Sequence, residues 1–282
     1  MKIDGDKVLY KYLQDDLQNI DFPFFFQAAI RFVIDLGVWI HPESFERIPI
    51  FEPICVRDGA VISNRVEWGN PHIDSGYFRD DNSMVKQVIK QSNSQKIESK
   101  RISAYQGKIL GDGYWCSHVW RDIGTGQLTS RYNELFSFIP NLVWLPKQIA
   151  KLTDREGGIV QTVLQEISLH IYKDAINDPK LNKFINEHSW SKIENQKRDT
   201  VIPKDALPPL ESFNFVRLPD HFIQNKLRKH KKVANALRAH ASGNKLPTGK
   251  IMSSKYDPHI STIDVNGAKV LSDWLNEYLQ ML

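Results

Sequence analysis

Residues 116–154 read CSHVWRDIGTGQLTSRYNELFSFIPNLVWLPKQIAKLTD. His118 stands among apolar and aromatic neighbours, Asn141 opens the apolar run 142–145, and Asp122 and Asp154 supply carboxylates on either side. A neutral imidazole can take a proton from water near pH 7. Carboxylate and amide oxygens suit a hard divalent cation such as Mg²⁺. Hydrolysis of a phosphodiester needs both: a base to activate water, and a cation to offset charge on the phosphate and the leaving oxygen.

These groups must be brought together by the elements that carry them. Residues 114–120 (YWCSHVW) have strand character, and residues 141–146 (NLVWLP) form a second apolar strand after a polar loop. A short helix then begins near Pro146, a residue tolerated in a first helical turn. A hairpin followed by a helix is a compact way to return a ligand to the side of a base.

The order of His118, then Asn141 heading Leu-Val-Trp-Leu, then a short helix resembles the HNH nucleases with their ββα-metal fold. The resemblance covers residues 114–154, with a helix after it. It implies His118 as general base and Asn141 as the residue that holds the hairpin loop and so orients the base. It also implies a bound Mg²⁺ or Mn²⁺ and DNA as substrate. Where the family commonly has an acidic residue or His before the first His, this chain has Ser117. Where it commonly has His or Asn on the helix, this chain has Ala150. With the helix shifted by a turn, the resemblance implies Asp154 as metal ligand, with help from Asn141 or Asp122. Asp112 is a further carboxylate in the preceding turn. Lys147, Lys151 and Arg155 are near enough in sequence to hold phosphates. The cysteine pairs that many members use for structural zinc are absent.

Plainer readings exist for each residue. His118 could be a core histidine between Trp115 and Trp120. Asn141 after a proline could be a turn residue. Thr153 or Asp154 could cap the following helix. Glu98-x-Lys100 has the form of another nuclease class but sits in a polar stretch. The run Arg79-Asp80-Asp81-Asn82 lacks calcium-loop spacing, although Asp80 or Asp81 can cap a short helix. His170 reads as structural.

Charge distribution points to a polyanion. The chain has 282 residues and net charge +4. Between His221 and Tyr256 there is no acid, while Lys226, Arg228, Lys229, Lys231, Lys232, Arg238, Lys245, Lys250 and Lys255 are all basic. The remaining 28 Lys and Arg face all 33 acids. An acidic body with one basic segment suits phosphate-backbone contacts.

Two cysteines, Cys55 and Cys116, give no C-x-x-C pair, which excludes a cysteine zinc site and a disulfide framework. The polar N-terminus is unlike a signal sequence, and residues 22–40 are too charged for a membrane span. A cytoplasmic protein with no membrane contact is expected. Helices are expected over residues 5–20, from Pro23 to Ile40, over residues 158–176 and over residues 267–282. Strands are expected within residues 46–70 around a turn at Asp58-Gly59. The fold class is therefore α+β. The expected units are an N-terminal region of helices and strands (1–108), the nuclease-like module (109–193), a proline-bearing linker (194–219) and a basic C-terminal region (220–282). The apolar face of the last helix could pack on the core or pair with a second copy. The resemblance implies a metal-dependent DNA endonuclease in a restriction or phage-defence role, and that is the expected function. The alternative is a non-catalytic nucleic-acid-binding subunit of a larger assembly.

Overall fold

Gly37 ends a helical stretch, its N–H donating to the Val33 carbonyl at 2.8 Å. A Cβ at Gly37 would lie 2.4 Å from that same carbonyl oxygen, so a side chain does not fit where the chain leaves the helix. The chain then enters β1, Val38–Ile40, which corrects the expectation of helix up to Ile40. The structure is a computed structural model. It describes residues 31, 33, 35–57, 77–80, 82–89, 96–123, 126–154, 158–194, 207–245 and 257–282. The expected helix over 5–20 and the Asp58-Gly59 turn lie outside the described residues.

The protein is a mixed α+β fold. Strand β2 (Cys55–Arg57) pairs in parallel with β3 (Phe78–Asp80) as a separate two-stranded sheet. The main sheet has five strands. Its order is β4 (Ile97–Glu98), β7 (Asn214–Val216), β1, β6 (Leu142–Pro146) and β5 (Tyr114–His118). β1 lies antiparallel to β6, with Val38 opposite Trp144, and parallel to β7, with Trp39 opposite Phe215. β7 falls inside the stretch expected to be a linker. It is a strand because Asn214 Nδ2 donates to the Gly37 carbonyl at 2.9 Å and the Val216 carbonyl accepts from His41 N–H at 2.9 Å. Those partners lie far away in sequence.

The helices among the described residues fall into two groups. The shorter ones are α1 (Pro42–Arg47), α2 (Ser83–Gln87), α3 (Asn133–Phe136) and α4 (Lys147–Ala150). Asp80 steadies α2, accepting from Ser83 Oγ at 2.9 Å and Met84 N–H at 3.1 Å. The longer group begins with α5 (Ile159–Tyr172) and α6 (Pro179–Ile185). A π-helical turn, Asn186–Trp190, runs on into α7 (Ser191–Ile193). Then come α8 (Asp220–Ala241) and α9 (Val265–Met281).

The spacing that foretold α5 is the spacing it buries. Val163, Leu164, Ile167, Ile171 and Tyr172 are all in the core, each contributing roughly 1.5–3 kcal/mol on burial. Two hydroxyls fix its position on the sheet. Ser168 Oγ donates to the Pro140 carbonyl at 2.6 Å, and Tyr172 OH donates to the Ile40 carbonyl at 2.5 Å.

Helices α8 and α9 pack on one another, with Ser272 Oγ donating to the Ala234 carbonyl at 3.2 Å. Tyr278 OH both accepts from Ile50 N–H at 2.9 Å and donates to the Ile50 carbonyl at 3.0 Å. On the apolar face of α9, Leu271 and Leu275 are buried in its own chain, while Val270 is exposed. Among the described residues no helix is long and apolar enough to cross a membrane.

Candidate active site

The hairpin is built from β5 and β6, antiparallel with His118 opposite Leu142 and Tyr114 opposite Pro146. Helix α4 follows β6 directly. The connection between the strands, residues 119–141, carries a small hairpin of its own. Asp122 bridges Leu128 there, and the Thr129 N–H donates to the Arg121 carbonyl at 2.8 Å.

Asn141 ties this connection together. It is wholly buried. Its Oδ1 accepts from Trp120 N–H at 2.7 Å, and its Nδ2 donates to the Leu135 carbonyl at 3.0 Å and to Thr129 Oγ1 at 3.3 Å. One side chain therefore clamps the exit of β5, the middle of the connection and the end of α3. In this structure Asn141 Oδ1 accepts from a backbone N–H and the side chain ties the loop together. Replacing Asn141 with alanine leaves the Trp120 N–H buried and unpaired, while the Leu135 carbonyl keeps its backbone partner, the Phe138 N–H at 3.4 Å. The expected loss is about 1–3 kcal/mol of stability, read from urea unfolding. A loss within the scatter of ordinary surface substitutions would show that the clamp is not structural.

His118 sits beside the clamp. Its Nε2 lies 2.9 Å from the Phe136 carbonyl, the residue after Leu135, and its ring stacks on Phe136 at 6.0 Å between centroids. A carbonyl can only accept, so Nε2 carries the proton and the neutral ring keeps its lone pair on Nδ1. Among the described residues nothing bonds Nδ1. The side chain retains only 8 % exposure. Burial lowers its pKa to about 4, with the Phe136 carbonyl opposing and the guanidinium groups of Arg57 and Arg121 adding to the fall. Charging the ring in this pocket is thus costly, chiefly because it is buried and to a lesser degree because of the two arginines.

Arg57 and Arg121 were not found from the sequence. Arg57 comes from β2, in a different sheet, and Arg121 follows β5 in an irregular stretch. No periodicity marks either one. Both are half-buried, and the charge of each disfavours protonation of His118.

The other expected residues divide. Trp120 is fully buried but Trp115 is 42 % exposed, so His118 is not enclosed between two core tryptophans. Lys147 is exposed at the start of α4, Lys151 is half-buried, and the Lys147 ammonium lies 5.1 Å from the centre of the Trp115 ring. Asp154 closes the 3₁₀ turn Lys151–Asp154, with its side chain outside the described residues, as Arg155 is entirely. Asp122 Oδ1 accepts from Gly126 N–H at 3.3 Å and so helps turn the small hairpin. Glu98 pairs with Arg217, and His170 is exposed near Phe213.

Among the described residues no group of three His, Cys, Asp or Glu could hold a metal ion. That donor set does not fit zinc, which wants three or four protein ligands. Mg²⁺ asks for less: one or two carboxylates, with waters and substrate phosphates completing an octahedron. The carboxylates expected to serve it are Asp122 and Asp154.

Most of the expected basic face of α8 is exposed: Arg228, Lys229, Lys231, Lys232 and Arg238 all face outward, with His221, Gln224, Asn225 and Asn235 between them. Lys226 does not belong to that face. Its ammonium pairs with Glu52, the two side chains being 12 % and 4 % exposed, and it lies 4.5 Å from the centre of the Phe51 ring. Lys226 is thus an internal ion-pair partner rather than a phosphate contact. Helical register is the reason: Ile223, His230, Val233 and Leu237 are buried on the side to which Lys226 leans. No family model matches the chain, and comparison with curated proteins and with solved structures returns no match.

Proposed function

We propose that the chain is a metal-dependent DNA endonuclease with His118 as its general base, in a restriction or phage-defence role. The supporting observation is the imidazole beside the Asn141 clamp: Nε2–H is held on the Phe136 carbonyl, and Nδ1 is left as the only proton acceptor. In the proposed reaction Nδ1 takes a proton from water as its oxygen attacks phosphorus and the bridging oxygen leaves. The Phe136 carbonyl keeps its hydrogen bond throughout and steadies the imidazolium that forms. Arg57 and Arg121 offset charge on the phosphate, and that phosphate in turn offsets the two arginines and raises the basicity of the ring. Mg²⁺ or Mn²⁺, held by Asp122 or Asp154, would supply charge neutralisation at the leaving oxygen. The outward face of α8 holds the DNA backbone without reading sequence.

The exposed basic face of α8 also favours the second reading, a non-catalytic DNA-binding subunit. Supercoiled plasmid separates the two. Incubation with Mg²⁺ or Mn²⁺ is expected to give nicked and linear forms, and EDTA is expected to stop their appearance. Plasmid retained by the protein but uncut under every ion would leave the binding subunit as the function.

A further inference from the structure

Trp115 stands apart from the other tryptophans described. Trp39, Trp120, Trp144 and Trp190 are buried to within 1 % of their surface and Trp274 is half-buried, whereas Trp115 is 42 % exposed. It sits on β5, the edge strand of the five-stranded sheet. Two ammonium groups flank its ring, Lys147 from α4 at 5.1 Å and Lys86 from α2 at 5.9 Å. Both lysines are exposed. Three elements that are separate in sequence therefore converge on one solvent-facing indole with a cation from each neighbour.

We propose that Trp115 is a stacking platform for an unpaired nucleobase of single-stranded DNA, with Lys86 and Lys147 taking the phosphates that flank that base. An exposed indole offers a flat face to any base, and the two lysines that lie over it supply the complementary charge, which is the combination that single-strand binders use. Contacts of this kind at exposed sites are weak, so the ammonium groups can swing from the ring to phosphate when a base arrives. A protein chain is a poorer occupant, because an indole with two mobile cations beside it selects a flat group that carries negative charge. Trp115 and His118 are three residues apart on a strand, so they project to opposite faces of the sheet. The platform is thus distinct from the imidazole site, and the two lie about 10 Å apart along β5. The inference rests on the proposed DNA reading and extends it to strand separation: DNA presenting an unpaired base would be held better than a closed duplex.

Binding in EDTA tests this without any cleavage. Labelled oligothymidylate and a blunt duplex of mixed sequence are titrated with wild type, Trp115→Ala and Trp115→Phe. The expected result is a loss of roughly 10- to 100-fold in single-strand affinity for the alanine variant, near-wild-type binding for phenylalanine, and unchanged duplex binding for both. Lys86→Gln and Lys147→Gln should each flatten the salt dependence of single-strand binding by about 0.7 in log–log slope. Intact single-strand binding by Trp115→Ala, or equal losses on both probes, would overturn the platform while leaving duplex binding by the chain in place. No binding of either probe by wild type would overturn the DNA reading itself.

Discussion

Replacing His118 with alanine is expected to lower metal-dependent plasmid cleavage by about 10²- to 10⁴-fold, the usual worth of a positioned general base. Binding of DNA should be unchanged, because the phosphate contacts proposed for α8 do not involve this ring. Added imidazole should restore part of the rate, since the substitution opens space beside the Phe136 carbonyl for a free base to occupy. The removed side chain is largely buried and stacked on Phe136, so the variant must be shown to be folded. His118→Gln is a second variant: it keeps a donor for that carbonyl and lacks a base of comparable strength. Full activity in both variants would remove His118 from the chemistry.

The second large effect concerns stability. Lys226→Met leaves the Glu52 carboxyl buried beside Asp80 without its ammonium. Burial already raises the pKa of Glu52, and Asp80 pushes the same way against Lys226. Losing the cation from a buried pair costs about 3–5 kcal/mol. A carboxyl whose pKa is raised on folding weakens the fold at pH above its unfolded value, and removing Lys226 raises it further. The cost should therefore shrink as pH falls and Glu52 becomes protonated. The double variant Lys226→Met/Glu52→Leu should recover most of the loss, because a packed apolar pair of similar volume replaces a charged one. Urea denaturation of the two single variants and the double variant measures both effects. A single variant as stable as wild type would mean that the pair is solvated.

The long amphipathic helices were legible because their periodicity is local. The apolar positions of α5 and α9 recur at helical spacing, and those are the positions buried. Asn141 was expected to hold the loop only through the HNH resemblance; its own neighbours read as a turn, because nothing local names its partners at Trp120 and Leu135. β1 was not legible. Val38-Trp39-Ile40 continues an apolar helical pattern, and only Gly37 and partners more than a hundred residues away make it a strand. β7 was hidden for the same reason, lying in a polar stretch with prolines. Lys226 shows a different limit. A charge count places nine cations together but says nothing of which one turns inward. Counting forward from Ile223 by three and by seven would have put Lys226 and His230 on the apolar side. Trp115 and His118 also could not be told apart by composition, since a five-residue strand does not reveal which alternate positions face the core. Arg57 comes near the imidazole because β2 packs against α3 and the 3₁₀ turn Thr129–Arg131, and no local pattern encodes that.

The most direct measurement is the pH dependence of cleavage, with kcat/KM and kcat followed separately from pH 8 down to pH 4.5. The limb in kcat/KM belongs to the free enzyme and that in kcat to the bound complex. If the base is the buried imidazole held at about 4 by its pocket and its two arginines, kcat/KM stays level down to about pH 5. The limb in kcat then lies at higher pH, because bound phosphate offsets Arg57 and Arg121. A tenfold fall per unit in both parameters beginning near pH 6.5, the value of an unperturbed histidine, would contradict this and assign the proton transfer to a solvent-exposed ring elsewhere.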